Sequence, residues 1–380
     1  MEFSQHIYGI HEFDAEWGNW LVNSGRTGWS LELTELSNNY SGSNFNFLNV
    51  TPIVRLNWGY GSTGTIPRPD KYDEFARRSA EFVKNSQGVK RVHIGNELSL
   101  QWEWPDGVMP SVDEYVQCYL KCYYAIKSVR PDVMITFAPP GPWNPTWGGD
   151  WIDIIKILCD KIGHDKIDFF AFHAYTKGYD LDNFTKLQPM NPPYQHRNFS
   201  FAVLWEQMNA IPKDMRHLEV HITEANGDDS WNHNNGNWIK EFYNQINNWN
   251  QNPSNQKILS GILFRWNKHD TKWDMSNHEP SKQDFRQALQ KGYKHGYNAS
   301  RPNISIQPKL SPDAPQIAPR KPCVTAEAGL NLREAPVIDN NVIEVIPYQR
   351  TIEIINDMGD WLNVRYGSNV GWVNSKFVQK

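Results

Sequence analysis

Apolar residues follow two rhythms along the first 300 positions. Short apolar runs with strand character alternate with longer stretches in which apolar residues return every three or four positions. The strand-like runs are His6–Asp14, Gly28–Leu36, Val50–Asn57, Val89–Asn96, Val133–Ala138, Ile167–Tyr175, Leu218–Thr223 and Leu259–Trp266. The helical stretches begin with Pro69–Asn85, which carries Phe75, Ala76, Ala80, Phe82 and Val83. They continue with Val112–Val129, stopped ahead of Pro131, then Trp151–Ile162, Phe201–Met208, Trp238–Trp249 and Gln283–Tyr293. No clear helix separates the first two strands, and that stretch reads as irregular. Eight strands with helical connections predict an α/β barrel or a doubly wound sheet. No G-x-G-x-x-G follows the first strand, which argues against a dinucleotide-binding sheet.

The pattern then changes. Arg301–Pro322 holds Pro302, Pro308, Pro312, Pro315, Pro319 and Pro322 and loses all apolar periodicity, as an extended, semi-rigid linker does. Beyond it, short alternating runs (Ile343–Ile346, Thr351–Ile355, Trp361–Val364, Gly371–Val373) are separated by turn residues. They predict a small all-β barrel. The expected domains are therefore 1–300, a linker at 301–322, and 323–380.

Composition narrows the classes. The 380 residues suffice for one eight-stranded barrel, typically about 250 residues, and a small companion. A net charge of −4 with no Lys/Arg block speaks against a nucleic-acid partner. No apolar run reaches the roughly 18 residues of a membrane span, so no membrane partner is expected. Cys118 and Cys122 lie one helical turn apart, a poor disulfide geometry, and nothing resembles C-x-x-C. With Cys159 and Cys323 they read as free, mostly buried thiols, and no metal or organic cofactor is expected. The start, Met1-Glu2-Phe3-Ser4, shows no signal peptide. The protein is expected to be secreted or wall-associated if a leader has been removed, and otherwise cytoplasmic or phage-released. Many of the 17 Trp fall in Gly/Pro/Asn-rich segments: Trp58, Trp102, Trp104, Trp143, Trp147, Trp231 and Trp266. An indole face suits the apolar face of a pyranose, though the same rings also serve to fill a large barrel.

Two local motifs carry chemistry: Ile94-Gly95-Asn96-Glu97-Leu98 and Ile222-Thr223-Glu224-Ala225-Asn226. Each places a glutamate where a barrel strand ends, on the face where this fold builds its sites. Either one alone reads as a solvated loop or capping carboxylate. Both together, on strands four and seven of eight, are hard to obtain by chance. Two carboxyl groups flanking a bond, one protonated and one ionised, are what glycoside hydrolysis needs.

On these motifs, with His173-Ala174-Tyr175 on strand six and Trp266 on strand eight, residues 1 to about 300 resemble the clan A glycoside hydrolases. These are retaining enzymes on a (β/α)8 TIM barrel. The resemblance implies Glu97 as general acid/base and Glu224 as nucleophile. It implies Asn96 as a partner of the sugar 2-OH, His173 and Tyr175 as orienting or lining groups, and Trp266 as the floor of the subsite. It implies Arg55 as the cation that keeps the nucleophile ionised. Trp58 and Trp143 join the candidate substrate-binding set. Plainer readings stand beside these: His173 as a core histidine, Tyr175 and Trp266 as packing, Arg55 as partner of a structural carboxylate. His11, Glu12, Asp14 and Glu35 also sit at predicted strand ends.

Residues 323–380 resemble a bacterial SH3-type domain through Leu330-Asn331-Leu332-Arg333-Glu334-Ala335-Pro336, Gly359-Asp360-Trp361-Leu362-Asn363-Val364 and Val370-Gly371-Trp372-Val373. That resemblance implies a bacterial cell-wall or glycan partner. Trp361, Trp372 and Tyr366 offer contact surface, with core filling the alternative for at least one of Trp361 and Trp372. The expected function is a retaining glycosidase acting by double displacement on β-linked poly- or oligosaccharides, the carboxyl groups roughly 5–5.5 Å apart. A peptidoglycan-degrading lysin, possibly phage-encoded, is the alternative within that class. A catalytically idle carbohydrate-binding protein is the alternative outside it.

Overall fold

In the computed structural model the eight strand-like runs form a single parallel sheet. It comprises β1 (Tyr8–Ile10), β2 (Gly28–Leu33), β3 (Val50–Leu56), β4 (Arg91–Ile94), β5 (Met134–Phe137), β6 (Phe169–His173), β7 (Glu219–Glu224) and β8 (Ile258–Leu263). The structure describes residues 3–145, 147, 149–231, 236–297, 322–326, 328–337, 341–348, 350–357 and 360–379. The lateral order runs β5-β4-β3-β2-β1-β8-β7-β6, so the first and last strands in sequence are neighbours. The seam between β5 and β6 is closed by Asp168. Its N–H donates to the Ile135 carbonyl at 2.9 Å, and its carboxylate accepts from the Ile135 N–H at 2.8 Å. The result is a (β/α)8-type barrel with α1 (Ala15–Ser24), α2 (Tyr72–Asn85), α3 (Val112–Val129), α4 (Asp153–Ile162), α5 (Ala202–Ala210), α6 (Trp238–Gln251) and α7 (Glu279–Gln290) around it.

The helix α1 corrects the sequence reading, which left the stretch between β1 and β2 irregular. The Asp14 side chain caps it by accepting from Glu16 N, and Gly25 ends it in the left-handed conformation, φ 66°. Only Trp17, Gly18 and Leu21 are buried on it, and a glycine in mid-helix blurs the period. Gly18 is there because the Phe13 ring lies 2.8 Å from where a Cβ would stand. The irregular segment falls instead between β2 and β3.

Period-two alternation sorts the strand residues. Val54 and Leu56, Val92 and Ile94, Phe170 and Phe172, and Val220 and Ile222 belong to the outer core shared with the helices. The alternate positions turn into the barrel. There Trp29, Leu31, Ile53, Phe169, Ala171, Leu259 and Ile262 form a second cluster. Polar residues accompany it. At the strands' N-terminal ends Arg91 pairs with Glu219 at 2.7 Å, and His221 bridges Glu219 and Ser260.

β1 and β8 pair through their backbones, from Tyr8 opposite Gly261 to Ile10 opposite Leu263, and one side chain of α6 is bonded to both strands. The Tyr243 hydroxyl accepts from Gly9 N–H at 3.1 Å and lies 3.1 and 3.0 Å from the carbonyls of Gly9 and Gly261. Gly261 must lack a Cβ, which would stand 2.6 Å from the Phe242 ring. Among the described residues no helix is long and apolar enough to cross a membrane.

The chain divides into two units, Met1–Asn298 and Ala299–Lys380. Of the expected linker, residues 301–321 lie outside the described residues. The second unit is all-β: β9 (Cys323–Val324), β10 (Leu330–Arg333), β11 (Val342–Ile346), β12 (Glu353–Asp357), β13 (Trp361–Tyr366), β14 (Asn369–Asn374) and β15 (Val378–Gln379). Five strands pair in the order β11-β10-β14-β13-β12, and β15 pairs with β9. Its core is aliphatic, built on Val324, Leu330, Leu332, Ile346, Ile352, Leu362, Val364 and Val373. Neither Trp361 nor Trp372 fills it. Both stand half-buried at the positions that alternate with Leu362 and Val373.

Tyr243→Phe is expected to lower unfolding free energy by about 1–3 kcal/mol, because a buried N–H and two carbonyls lose their partner. A chemical-denaturation midpoint equal to wild type would show that the β1–β8 seam does not need this hydroxyl.

Candidate active site

The C-terminal ends of the barrel strands converge on a cleft of about 600 Å³. Arg55, next to last on β3, and Glu224, last on β7, both reach into it. Beyond β4 the chain turns sharply. Gly95 has φ 78° and Glu97 φ 29°, two left-handed residues in three. A non-glycine residue in that region costs about 1–3 kcal/mol and persists where its surroundings fix it. Here Gly95 N–H donates to Leu56 O at 3.0 Å and Glu97 N–H to Pro139 O at 3.2 Å, tying the turn to both neighbouring strands. Gly141 packs against the other side of Glu97, where a Cβ would lie 3.4 Å from Glu97 Cδ.

Glu224 is buried and heavily partnered. Arg55 donates to its Oε1 at 2.6 Å and the Tyr175 hydroxyl to its Oε2 at 2.7 Å. His11 Nε2 lies 3.8 Å from Oε1. Burial pushes this carboxyl up, but His173, Arg55 and His11 together hold it well below the usual carboxylate range. Glu224 is therefore ionised at neutral pH.

His173 joins the two glutamates. Its Nδ1 is 2.6 Å from Glu97 Oε1 and its Nε2 3.7 Å from Glu224 Oε1. The ring is fully buried, which opposes its charge, yet Glu224 and Glu97 outweigh burial and raise its pKa above the ordinary value. A shift in register at Phe172/His173 sets His173 laterally opposite Glu224. Gln207 of α5 holds the same residue by donating to its carbonyl at 2.9 Å.

Of the residues singled out from sequence, Arg55, Asn96, Glu97, Trp143, Tyr175 and Glu224 line the cleft, and His173 lies beneath them. Trp143, at φ 66°, is fixed by its indole N–H donating to Asn198 O at 2.8 Å. Two candidates are elsewhere. Trp58 is buried against Phe75 and the Arg78 guanidinium of α2, 5.0 Å from its ring. Trp266 packs edge-on against Trp20 of α1 at 5.5 Å. It lies three residues past the end of β8 at Leu263, and its ring is buried on the side of α1 and α7, with Lys282 of α7 5.8 Å from it. Trp273, farther along the same loop, lines the cleft instead. His11 reaches Glu224, Glu12 pairs with Arg265 at 3.0 Å, Asp14 caps α1, and Glu35 is exposed.

Sequence reasoning missed Glu103, Lys177, Asp228 and Arg265, all in the cleft wall. Glu103 had one visible signal, a lone acid between Trp102 and Trp104 in the loop after strand four. In the second unit, Asn331, Arg333, Trp361, Asn374 and Phe377 line a hollow of about 350 Å³.

Comparison with known proteins places both units. Residues 328–379 match the family model of the bacterial SH3 domain. No curated protein matches the chain. A family 39 glycoside hydrolase from the gut symbiont Bacteroides cellulosilyticus WH2 has a similar structure, with TM-score 0.51 and 14% identity. The match covers 76% of this chain and 64% of that one, so this chain spans less than two thirds of its length. A glucosidase from Croceicoccus marinus matches with TM-score 0.48 and 9% identity over 76% of this chain and 68% of that one. A β-glucanase from Saccharophagus degradans matches with TM-score 0.48 and 14% identity over 77% and 89%. The first of these likenesses establishes a shared barrel fold.

Arg55→Met should destabilise the protein by about 3–5 kcal/mol at pH 7, because it strands a buried carboxylate. Glu224's lowered pKa contributes stability above the unfolded value and loses it as pH falls through the folded one. The cost of the substitution must therefore shrink on acidification. Denaturation curves at pH 7 and pH 4 with the same deficit would contradict this account.

Proposed function

We propose that the barrel is a retaining glycoside hydrolase that cleaves β-linked poly- or oligosaccharides by double displacement. The observation that carries this reading is the single imidazole of His173 in contact with both Glu97 and Glu224. It sets two carboxyl groups with unlike partners on either side of one ring, at the end of the barrel where a cleft opens.

In the first step a Glu224 carboxylate oxygen attacks the anomeric carbon. The bond from that carbon to the glycosidic oxygen breaks, and Glu97 delivers its proton to the departing oxygen. The anomeric carbon is then esterified to Glu224. In the second step Glu97, now a carboxylate, takes a proton from water. The water oxygen displaces Glu224 from the anomeric carbon, returning both residues to their starting states with net retention. Arg55 and Tyr175 fit this sequence, because each donates to Glu224 and keeps it ionised before attack. His173 offers an N–H to Glu97 when that carboxyl becomes charged. Tyr60, Trp102, Trp143, Phe199 and Trp273 give the cleft aromatic walls, against which pyranose rings pack. No step needs a metal or an organic cofactor.

The SH3-type unit favours a second, narrower reading: targeting to a bacterial wall or glycan, with peptidoglycan as the barrel's substrate. Trp361 and Phe377 beside Asn331 and Asn374 give its hollow both stacking and amide hydrogen-bonding groups.

The test is reducing-sugar release from β-glucans, mannan, xylan, chitin and purified peptidoglycan, with Glu224→Gln as the blank. Release from one polymer is expected, absent in Glu224→Gln and reduced about 10²–10⁴-fold in Glu97→Gln. Product NMR must show retained anomeric configuration. Inversion would sink double displacement, and silence across the panel would favour a carbohydrate-binding protein with an idle barrel. For the second unit, wild type should sediment with purified bacterial walls, and the Trp361→Ala/Phe377→Ala variant should not. Equal sedimentation would exclude this hollow as the contact.

A further inference from the structure

The cleft holds a third carboxyl group that the two-glutamate scheme leaves without work. Glu103 lies in the turn after β4, and its Oε1 accepts from Asn96 Nδ2 at 3.2 Å. Thr65 ties the two residues together. Its N–H donates to Glu103 O at 3.0 Å, and its hydroxyl lies 3.3 Å from the carbonyls of both Asn96 and Glu103. Asn96 N–H donates back to that hydroxyl at 3.3 Å. Glu103 is thus built into the cleft wall, which it lines beside Asn96 and Glu97.

A carboxylate can only accept hydrogen bonds, so it dictates which end of the neighbouring amide faces it. The Asn96 NH₂ must turn to Glu103, and the amide oxygen turns inward, where it is buried with no donor among the described residues. One amide hydrogen is spent on Glu103 and the other remains for the cleft. We propose that Glu103 is a positioning residue that fixes Asn96 as a hydrogen-bond donor to a hydroxyl of the sugar held against Glu97. The proposal rests on the glycosidase reading of the barrel and adds a group to it.

The same logic makes the device reversible. A protonated Glu103 donates from its hydroxyl and still accepts at its carbonyl oxygen, so it no longer dictates which end of the amide faces it. The amide is then free to turn over and present an acceptor where it presented a donor. Burial pushes the Glu103 carboxyl up to about 7, with Glu97 and Glu224 adding to the rise and Arg55 opposing it. The groups that face it are Arg55 from β3, Tyr60 from the loop beyond, Glu97 from the β4 turn and Glu224 from β7. Above neutrality Glu103 is charged and Asn96 is set. Below it the setting is lost, so kcat/KM falls on the acid side.

The experiment compares kcat/KM from pH 5 to 9 for wild type, Glu103→Gln and Glu103→Ala, on whichever glycan wild type hydrolyses. Gln, like the protonated acid, both donates and accepts, and it does not titrate. Glu103→Gln should hold the wild type's acid-side kcat/KM at every pH and so lose the limb near pH 7, and Glu103→Ala should fall about tenfold below wild type at pH 8. Glu32, whose Oε1 accepts from Phe13 N at 3.1 Å, is the other carboxyl pushed up to about 7, so Glu32→Gln serves as the control. Carboxyl ¹³C NMR of glutamate-labelled protein gives a reading that needs no substrate: a resonance titrating near 7 must vanish in Glu103→Gln and survive in Glu32→Gln. Unchanged kcat/KM in Glu103→Ala, or a limb near pH 7 that persists in Glu103→Gln, would overturn the proposal. A wild type silent on every glycan would overturn the glycosidase reading instead, and the resonance distinguishes that case from a Glu103 that does not titrate.

Discussion

An ionised carboxylate buried at the mouth of a barrel is the constraint on which the site depends. Removing Glu224 from water disfavours its charged form, and only close positive and hydrogen-bonding partners reverse that. The partners come from far apart in sequence: His11 after β1, Arg55 on β3, His173 on β6, Tyr175 just beyond it. Four segments must therefore be in register before the charge is tolerable. The barrel repeats the arrangement at its other end, where Arg91, first on β4, meets Glu219, first on β7. Both pairs involve β7, and the aromatic and aliphatic cluster around Trp29 and Phe169 is packed within the same barrel. The interior is a column with charge near each end and apolar filling, and breaking one partner at either end leaves an uncompensated ion.

Much of this was legible in the sequence, for reasons that also mark where reading stops. The strands show themselves because parallel strands, buried on both faces, read as apolar runs. Glu97 and Glu224 stood out because each follows such a run, and position in this fold carries meaning. The helix α1 was hidden by burying only Trp17, Gly18 and Leu21, with Gly18 there because of a ring five residues back. Trp58 and Trp266 failed as cleft residues because an indole in a loop looks the same whether it faces a sugar or a neighbouring helix. Only the contacts with Trp20 of α1 and Lys282 of α7 show that Trp266 turns away. For Trp361 and Trp372 the core-filling alternative fails, since the aliphatic core of their unit has no need of them. Glu103 showed only as an acid between two tryptophans, and its link to Asn96 through Thr65 is a contact with no local signature.

Two residues with proposed roles in the cleft also carry backbone strain. Glu97 and Trp143 both sit at positive φ, and both are held there by hydrogen bonds from distant segments. A sterically easier backbone at Glu97 would aim the side chain elsewhere. The turn is secured instead by the neighbouring carbonyls of Leu56 and Pro139, which belong to the β3 and β5 sides of the barrel. The cost is local, while the restraint that supports it is spread over three adjoining strands.

The asymmetry between the two glutamates bears on the roles proposed for them. Glu224 takes a guanidinium on one oxygen and a phenol on the other, both donors that cannot receive its proton at neutral pH. A group so surrounded is committed to the charged state and suits attack on an electrophilic carbon. Among the described residues the Glu97 carboxyl meets neither a guanidinium nor a phenol, only the imidazole of His173, a group able to hold or yield a proton. A residue that must give a proton in one step and take one in the next needs such a neighbour, and a permanent cation would oppose its first task. Exchanging the roles would require Glu224 to carry a proton beside Arg55. The arrangement of partners, more than the identity of the two side chains, sets the direction of the chemistry.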